Sequence, residues 1–274
     1  MNDVAFAPED NAQVPQSAAI SARELTVAYD GAPVLDRLEL DLPAGRVSAL
    51  CGPNGSGKST LLKACAGLLR ASGGGVWLGD RPLRALGPKA LAREVALLPQ
   101  HPVVPDGLTV AEVVALGRYP YRRWLARASE ADRRAVDEAM AAAGVTEFAD
   151  RRIETLSGGE RQRAWLALTL AQESRILLLD EPTTFLDPQH QVAMLSLVRD
   201  VARRRGLTVV WVLHDLNHAA GWSDHLVLFR EGAVATAGDP GSVLTEANVR
   251  HTFGLETVIV PHPETGHPLC VPRM

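Results

Sequence analysis

Apolar positions along the chain change their period several times, and each change marks a predicted element. Residues 25–29 and 38–42 alternate apolar and polar side chains, the pattern of half-buried strands. Residues 46–51 form a short apolar run that ends at a glycine-rich turn. Helical spacing follows over residues 59–69, where Leu61, Leu62, Cys65 and Leu69 share one face. The order is strand, glycine loop, helix. Residues 95–98 read as a further strand. From residue 110 to residue 171 the pattern is helical, with Ala-rich amphipathic stretches such as residues 130–143, which Gly144 closes.

Residues 176–179 are apolar throughout, as in a strand buried on both faces. Asp187 suits an N-cap, Pro188 the first helical position and Gly206 the stop of one helix. Residues 207–213 repeat the buried-strand pattern. Residues 226–229 and 233–237, joined through Glu231 and Gly232, predict a hairpin. Apolar strands alternating with helices predict an α/β fold with a mostly parallel sheet. Residues 1–20 lack periodicity and are expected to be disordered. The stretch after Gly254 is too rich in proline to assign.

Composition changes this picture mainly by exclusion. The net charge of -4 over 274 residues offers no basic surface for nucleic acid. Lys58, Lys63 and Lys89 are the only lysines; with the abundant Ala, this reflects GC-rich coding more than function. Cys51, Cys65 and Cys270 show no paired spacing and read as free thiols in a reducing compartment. His262, His267 and Cys270 fit no usual zinc spacing. No run approaches the ~18 apolar residues of a spanning helix. The acidic, Pro- and Ala-rich N-terminus lacks the charged and apolar regions of a signal peptide. A task at the membrane would need a partner to supply the span.

The glycine turn carries the first chemistry. Gly52, Pro53, Asn54, Gly55, Ser56, Gly57, Lys58 and Ser59 fit G-x-x-x-x-G-K-[ST] throughout. Glycines let backbone N–H groups curl around phosphate oxygens, and the following helix aims its positive end at the same anion. Lys58 adds a point charge on the outer phosphates, and the Ser59 hydroxyl can bind Mg²⁺. Thr60, next along the helix, counts with the nucleotide-binding residues. The loop alone specifies a binder of nucleotide phosphates and no particular enzyme.

A second constellation decides between them. Leu156, Ser157, Gly158, Gly159, Glu160, Arg161 and Gln162 follow, with Ser157 lying 99 residues beyond Lys58 (157 minus 58). The apolar run then ends in Asp180, Glu181 and Pro182. With these motifs the chain resembles the ATP-binding-cassette ATPases over roughly residues 22–261, departing only in Glu160, where glutamine is commoner. The resemblance implies a P-loop NTPase core with an antiparallel β subdomain and an inserted α-helical subdomain at about 102–172. Residues 21–262 form the ATPase domain, with 263–274 as a tail.

The resemblance also implies roles. Asp180, with Ser59 and Gln100, holds Mg²⁺, in part through water. Glu181 polarises the attacking water, and His214 holds the γ-phosphate and Glu181 in line. Ser157, Gly158, Gly159 and Glu160 meet the ATP of a second copy in a head-to-tail dimer, and Asp187 contacts that copy. Tyr29 stacks on adenine. ATP is the substrate and Mg²⁺ the cofactor.

Leu116–Pro120, Arg163-Ala164-Trp165, the segment 183–187 and Leu213–Asn217 are similar to ferric-siderophore importer ATPases, with haem and cobalamin importers as near alternatives. The implied partners are a second copy, a polytopic permease and, indirectly, a periplasmic or lipoprotein binding protein. The implied location is the cytoplasmic face of a bacterial inner membrane. Leu116, Arg118, Tyr119, Tyr121, Arg122, Arg123 and Trp124 are expected at the permease-docking cleft. A soluble cassette ATPase acting on DNA or ribosomes is the alternative class. The first would need long heptad insertions and the second two cassettes, and the chain has neither.

Overall fold

A computed structural model describes residues 18–29, 31–103, 106–122 and 127–274. Its centre is a six-stranded sheet. In chain order its strands are β3 (Val47–Cys51), β6 (Val95–Leu98), β7 (Ile176–Asp180), β8 (Thr208–Val212), β9 (His225–Arg230) and β10 (Ala233–Gly238). The spatial order is β10-β9-β3-β8-β7-β6, parallel except for β10, which closes the edge as the predicted hairpin with β9.

The apolar runs are buried on both faces because the sheet divides two cores. Val47, Ala49, Leu177, Leu179, Val209 and Trp211 point into one; Leu50, Ile176, Leu178, Val210 and Val212 point into the other. This is the two-residue period of a strand, hidden in the sequence because both faces are apolar. Trp211 is fully enclosed, and its indole N–H donates to Ser223 Oγ at 3.0 Å.

The second core is roofed by α1 (Lys58–Cys65) and by an antiparallel sheet ordered β2-β1-β4-β5. Its strands are β1 (Ala18–Tyr29), β2 (Ala32–Pro43), β4 (Gly73–Leu78) and β5 (Arg81–Pro82). Bulges break the alternation of β1 and β2. Glu24 and Arg37 adopt φ 44° and φ 45°, and the inward set changes parity there, from Ala22 to Leu25 and from Leu35 to Leu38. β1 corrects the expected disorder of residues 18–20; residues 1–17 lie outside the described residues.

Short α2 (Pro88–Glu94) leads into β6. Among the described residues three α-helices then lie between β6 and β7: α3 (Val110–Ala115), α4 (Glu130–Ala143) and α5 (Gly158–Ala171). Each begins with a capping box, from Thr109, Ser129 and Ser157 respectively. Gly144 ends α4 in the left-handed conformation. Their apolar faces join the first core. After β7, α6 (Pro188–Arg205) is capped by Asp187 and stopped by Gly206. Then come α7 (Leu216–Trp222), α8 (Pro240–Val243) and α9 (Glu246–Phe253). The unassigned C-terminal stretch forms a hairpin of β11 (Thr257–Pro261) and β12 (Pro268–Pro272), which crosses the boundary expected at residue 262. Its prolines Pro261, Pro268 and Pro272 sit at strand ends, where a missing N–H costs least.

Arg118 differs most from its expected place. It lies in the 3₁₀ turn Leu116–Tyr121 and is 4% exposed. Its Nε donates to Asp132 Oδ1 at 3.0 Å; its Nη1 donates to the Ala171 carbonyl at 2.7 Å and to Glu173 Oε2 at 2.6 Å. The guanidinium also lies 4.1 Å from the centre of the Tyr121 ring. Arg118 therefore ties α4 to the end of α5 and is unavailable for docking. Leu116 and Tyr119 point outward, whereas Arg123 and Trp124 lie outside the described residues. Removing one member of a buried ion pair strands the other charge. Arg118→Ala should lower unfolding free energy by about 3 kcal/mol, measured by urea denaturation followed by tryptophan fluorescence.

Candidate functional site

The phosphate loop leaves the carboxyl end of β3 at Gly52. A Cβ there would lie 2.3 Å from the Phe229 carbonyl oxygen of β9, so only glycine fits. Gly57 (φ 98°) turns the chain into α1 without a side-chain cap, leaving the first amides of the helix to the loop. Lys58 is buried, and its Nζ donates to the carbonyls of Gly52 and Pro53 at 2.9 and 2.8 Å and to Ser56 Oγ at 3.2 Å. Burial presses its ammonium below the ordinary lysine range, against the attraction of Glu181 and Asp180.

The neighbouring strands deliver the partners. β7 ends in Asp180, which accepts the Ser59 hydroxyl at 2.9 Å. Burial pushes the Asp180 carboxyl above its usual range, the Ser59 hydrogen bond works the other way, and the charge of Glu181 adds to the rise. Glu181 follows with φ 55°, a sharp turn that separates its side chain from that of Asp180. Its Oε1 lies 2.7 Å from His214 Nε2. Its Oε2 accepts Gln100 Nε2 at 2.6 Å and Thr184 Oγ1 at 2.9 Å. Burial alone would raise the Glu181 carboxyl, but these three donors outweigh it and hold it below the ordinary range. Two adjacent carboxyls are thus pushed in opposite directions.

Residues 54–60, Gln100, Glu181, His214 and Val34 line one cavity of ≈ 440 Å³. The structure therefore brings together most of the sequence-predicted phosphate and hydrolysis residues. Pro53 faces an adjoining cavity beside Arg230 and Arg250. Tyr29, 44% exposed at the end of β1, is not among the lining residues; Val34, on the neighbouring strand, is. Ser59 Oγ and the Asp180 carboxylate form a hard-oxygen pair, which fits Mg²⁺ completed by phosphate and water oxygens.

Ser157, Gly158, Gly159 and Glu160 do not line this cavity. They form the start of α5, with Ser157 and Gly158 exposed and Gly159 and Glu160 half-buried. Glu160 Oε2 accepts the Ser157 N–H at 2.8 Å while Ser157 Oγ accepts the Glu160 N–H at 3.3 Å. The Ser157 backbone and side-chain hydrogen bonds hold the Glu160 carboxyl low. Glu160 in place of glutamine thus completes a capping box and leaves the Ser-Gly-Gly turn open. Asp187 is an N-cap, accepting from the His190 backbone N–H at 2.9 Å, and its carboxylate also meets His190 Nδ1 at 2.9 Å.

Two contributors escape a reading of motifs. Thr184 reaches back three residues to Glu181; a hydroxyl at that spacing after a carboxylate is the only sequence signal. His190 lies under the signature turn, and a Cβ on Gly159 would meet its ring at 3.0 Å. No cluster of three His, Cys, Asp or Glu side chains placed to hold a metal ion occurs among the described residues.

Comparison with known proteins agrees with this geometry. Residues 35–184 match the family described as ABC transporter. The achromobactin transport ATP-binding protein CbrD of Dickeya dadantii (strain 3937) is 46% identical over 254 residues, 93% of this chain and 94% of its own. The probable siderophore transport system ATP-binding protein YusV of Bacillus subtilis (strain 168) is 44% identical over 255 residues, 93% of each chain. Among solved structures, the dimeric MJ0796, a bacterial ABC transporter cassette, superposes with a TM-score of 0.72 at 27% identity, covering 80% of this chain and 98% of its own.

The contact at Gly52 gives a direct test. Gly52→Ala forces β9 away from the loop, and overpacking of this kind costs about 1–3 kcal/mol. The variant should show a thermal midpoint several degrees lower and ATP affinity reduced at least tenfold by nucleotide titration.

Proposed function

We propose a specific task for this chain, which belongs to the ABC transporter family: it is the ATP-hydrolysing subunit of an importer of ferric siderophores. It acts as a pair of copies beneath a separate membrane permease. The observation that carries the hydrolytic part is the meeting of Gln100, Thr184 and His214 on the two oxygens of Glu181, in the cavity that holds Lys58. The cargo is read from the relatives' names, together with the Arg118-Tyr119-Pro120 and Thr184-Phe185-Leu186-Asp187 segments. Haem or cobalamin is the alternative cargo.

In this reading Lys58 exchanges its carbonyl partners for β- and γ-phosphate oxygens, which are stronger acceptors. Ser59 and Asp180, with Gln100 through its amide oxygen, would hold Mg²⁺, whose charge neutralises and orients the phosphates. Glu181, kept ionised by its three donors, accepts a hydrogen bond from the attacking water and aligns it with the γ-phosphate. His214 fixes Glu181 on one side and reaches the γ-phosphate on the other. Tyr29 stacks on adenine. Ser157, Gly158, Gly159 and Glu160 bring the open end of α5 to the ATP of the second copy, and Asp187 contacts that copy.

No helix among the described residues is long and apolar enough to cross a membrane. On the strength of its likeness to importer ATP-binding proteins, we place the chain as a peripheral subunit at the cytoplasmic face of an inner membrane, with the binding protein reached only through the permease. Leu116 and Tyr119, 46% and 71% exposed, are the apolar groups offered to it. The Arg118 contacts fix the turn that carries them.

Three variants test these assignments. Glu181→Gln keeps shape and hydrogen bonds but removes the charge, so kcat should fall by about 10²–10³-fold while ATP binding persists and an ATP-dependent dimer accumulates in light scattering. Lys58→Ala should lose turnover together with affinity; activity within twofold of wild type in either variant rejects the site. Tyr119→Ala should leave the ATPase activity of the isolated subunit unchanged. It should weaken association with the permease by about 2 kcal/mol, roughly 30-fold in Kd, and reduce ferric-siderophore uptake.

A further inference from the structure

The C-terminal hairpin contributes no residue to the phosphate cavity, yet one side chain joins it to the segment that carries His214. Asn217 Oδ1 accepts the Cys270 N–H at 2.7 Å, and Asn217 Nδ2 donates to the Cys270 carbonyl at 3.3 Å. One amide thus satisfies both backbone groups of one β12 residue, as a neighbouring strand would. Apart from Gln, only Asn carries the donor and acceptor side by side to do this.

The same residue lies in the first turn of α7. Its backbone N–H donates to Asp215 Oδ1 at 2.7 Å, and that of His218 to the same oxygen at 2.9 Å. Asp215 caps α7 and is covalently next to His214, whose Nε2 meets Glu181 at 2.7 Å. Direct contacts therefore run from Cys270 through Asn217 and Asp215 to His214 and Glu181.

Neither partner stands well alone. A two-stranded hairpin is marginal in water, and a seven-residue helix is far below the length that is stable by itself. Cys270 is buried in the same core as Ala219 and Ala220 of α7, with Ile259, Leu216 and Trp222 packed beside it. At its far end the hairpin is anchored by Arg273, whose N–H donates to the Glu256 carbonyl at 2.9 Å and whose guanidinium pairs with Glu246 at 3.5 Å.

We propose that Asn217 is a positioning residue for ATP hydrolysis: through it the C-terminal hairpin fixes the first turn of α7 and so holds His214 against Glu181. This rests on the assignment of His214 to the hydrolytic site.

A double-mutant cycle on the full chain tests it, using a radiolabelled-ATP assay that resolves slow turnover. Asn217→Ala should lower kcat about fivefold with KM for ATP within twofold of wild type. Asn217→Asp, which keeps the acceptor for the Cys270 N–H, should lose less. In a His214→Ala background, Asn217→Ala should change kcat by less than twofold, because its effect passes through the imidazole. An unchanged kcat in the wild-type background, or an equal fold-loss in both backgrounds, overturns the proposal while leaving the hydrolytic site intact. Wild-type turnover in His214→Ala alone overturns that site and the proposal with it. Where circular dichroism shows Asn217→Ala unfolded, Asn217→Asp carries the same cycle: a smaller loss of kcat that disappears in the His214→Ala background supports the proposal, and an unchanged kcat or an equal fold-loss in both backgrounds overturns it.

Discussion

The register of four parallel strands is the constraint on which the rest depends. Ala49 and Leu179 each stand opposite Trp211, and Leu98 opposite Leu179, so β3, β6, β7 and β8 reach the carboxyl edge of the sheet together. Gln100 and Glu181 follow that level by two residues, Gly52 and His214 by three. Four loops that are remote in sequence therefore open at one height. Nothing in any single loop specifies the meeting; it follows from hydrogen-bond ladders between strands whose side chains are buried on both faces. A slip of one residue would exchange the two cores and carry Glu181 away from His214.

On that edge, burial and hydrogen bonding act against each other, and the balance differs at each group. Lys58 and Asp180 are drawn towards their neutral forms by burial, so both gain from bringing compensating charge into the site. In the proposed function, phosphate would answer the first and a divalent cation the second. Glu181 has its own compensation in His214, Thr184 and Gln100 and stays ionised without either. Adjacent carboxyls in opposite conditions are what a site needs when one is to hold a cation and the other to act on water.

Much of this was legible in the sequence, and the gaps have physical causes. The phosphate loop, the strand ending in Asp180 and Glu181, the capped helices and the β9–β10 hairpin rest on local signals of turn chemistry, capping and apolar runs. The predicted alternation begins at Leu25 and Leu38 because Glu24 and Arg37 are bulged, and a bulge resets the period that alternation relies on. Residues 18–20 were expected to be disordered for the same reason: the first half of β1 is out of phase with the second. Arg118, beside exposed Tyr119, has the composition of an interface but is satisfied inside by Asp132 and Glu173, fourteen and fifty-five residues away. No local pattern encodes such a partner. The C-terminal hairpin was hidden by prolines that mark its strand ends, and it leans on α7 through Asn217 and on α9 through the Arg273–Glu246 pair instead of on its own alternation.

The Arg118 contacts also bear on how hydrolysis could move a partner. Arg118 joins α4 to the end of α5, while Gln172 Nε2 donates to the carbonyls of Ala92 and Val95 at 2.5 and 2.9 Å, and the Tyr121 hydroxyl donates to the Gln172 carbonyl at 3.1 Å. Arg93 closes the group, its guanidinium donating to the Pro120 carbonyl at 3.0 Å and lying 5.0 Å from the centre of the Tyr121 ring. The turn that exposes Leu116 and Tyr119 is therefore braced to α2, α4 and α5 at once and cannot shift independently of them. Gln100 meets Glu181 from the segment just upstream, between β6 and that braced turn. In the proposed function, a change at the γ-phosphate would first reach the hydrogen bond between Gln100 and Glu181. On the proposed docking role, a turn braced in this way would pass a displacement to α2, α4 and α5 together, because packed groups shift as units and do not deform continuously.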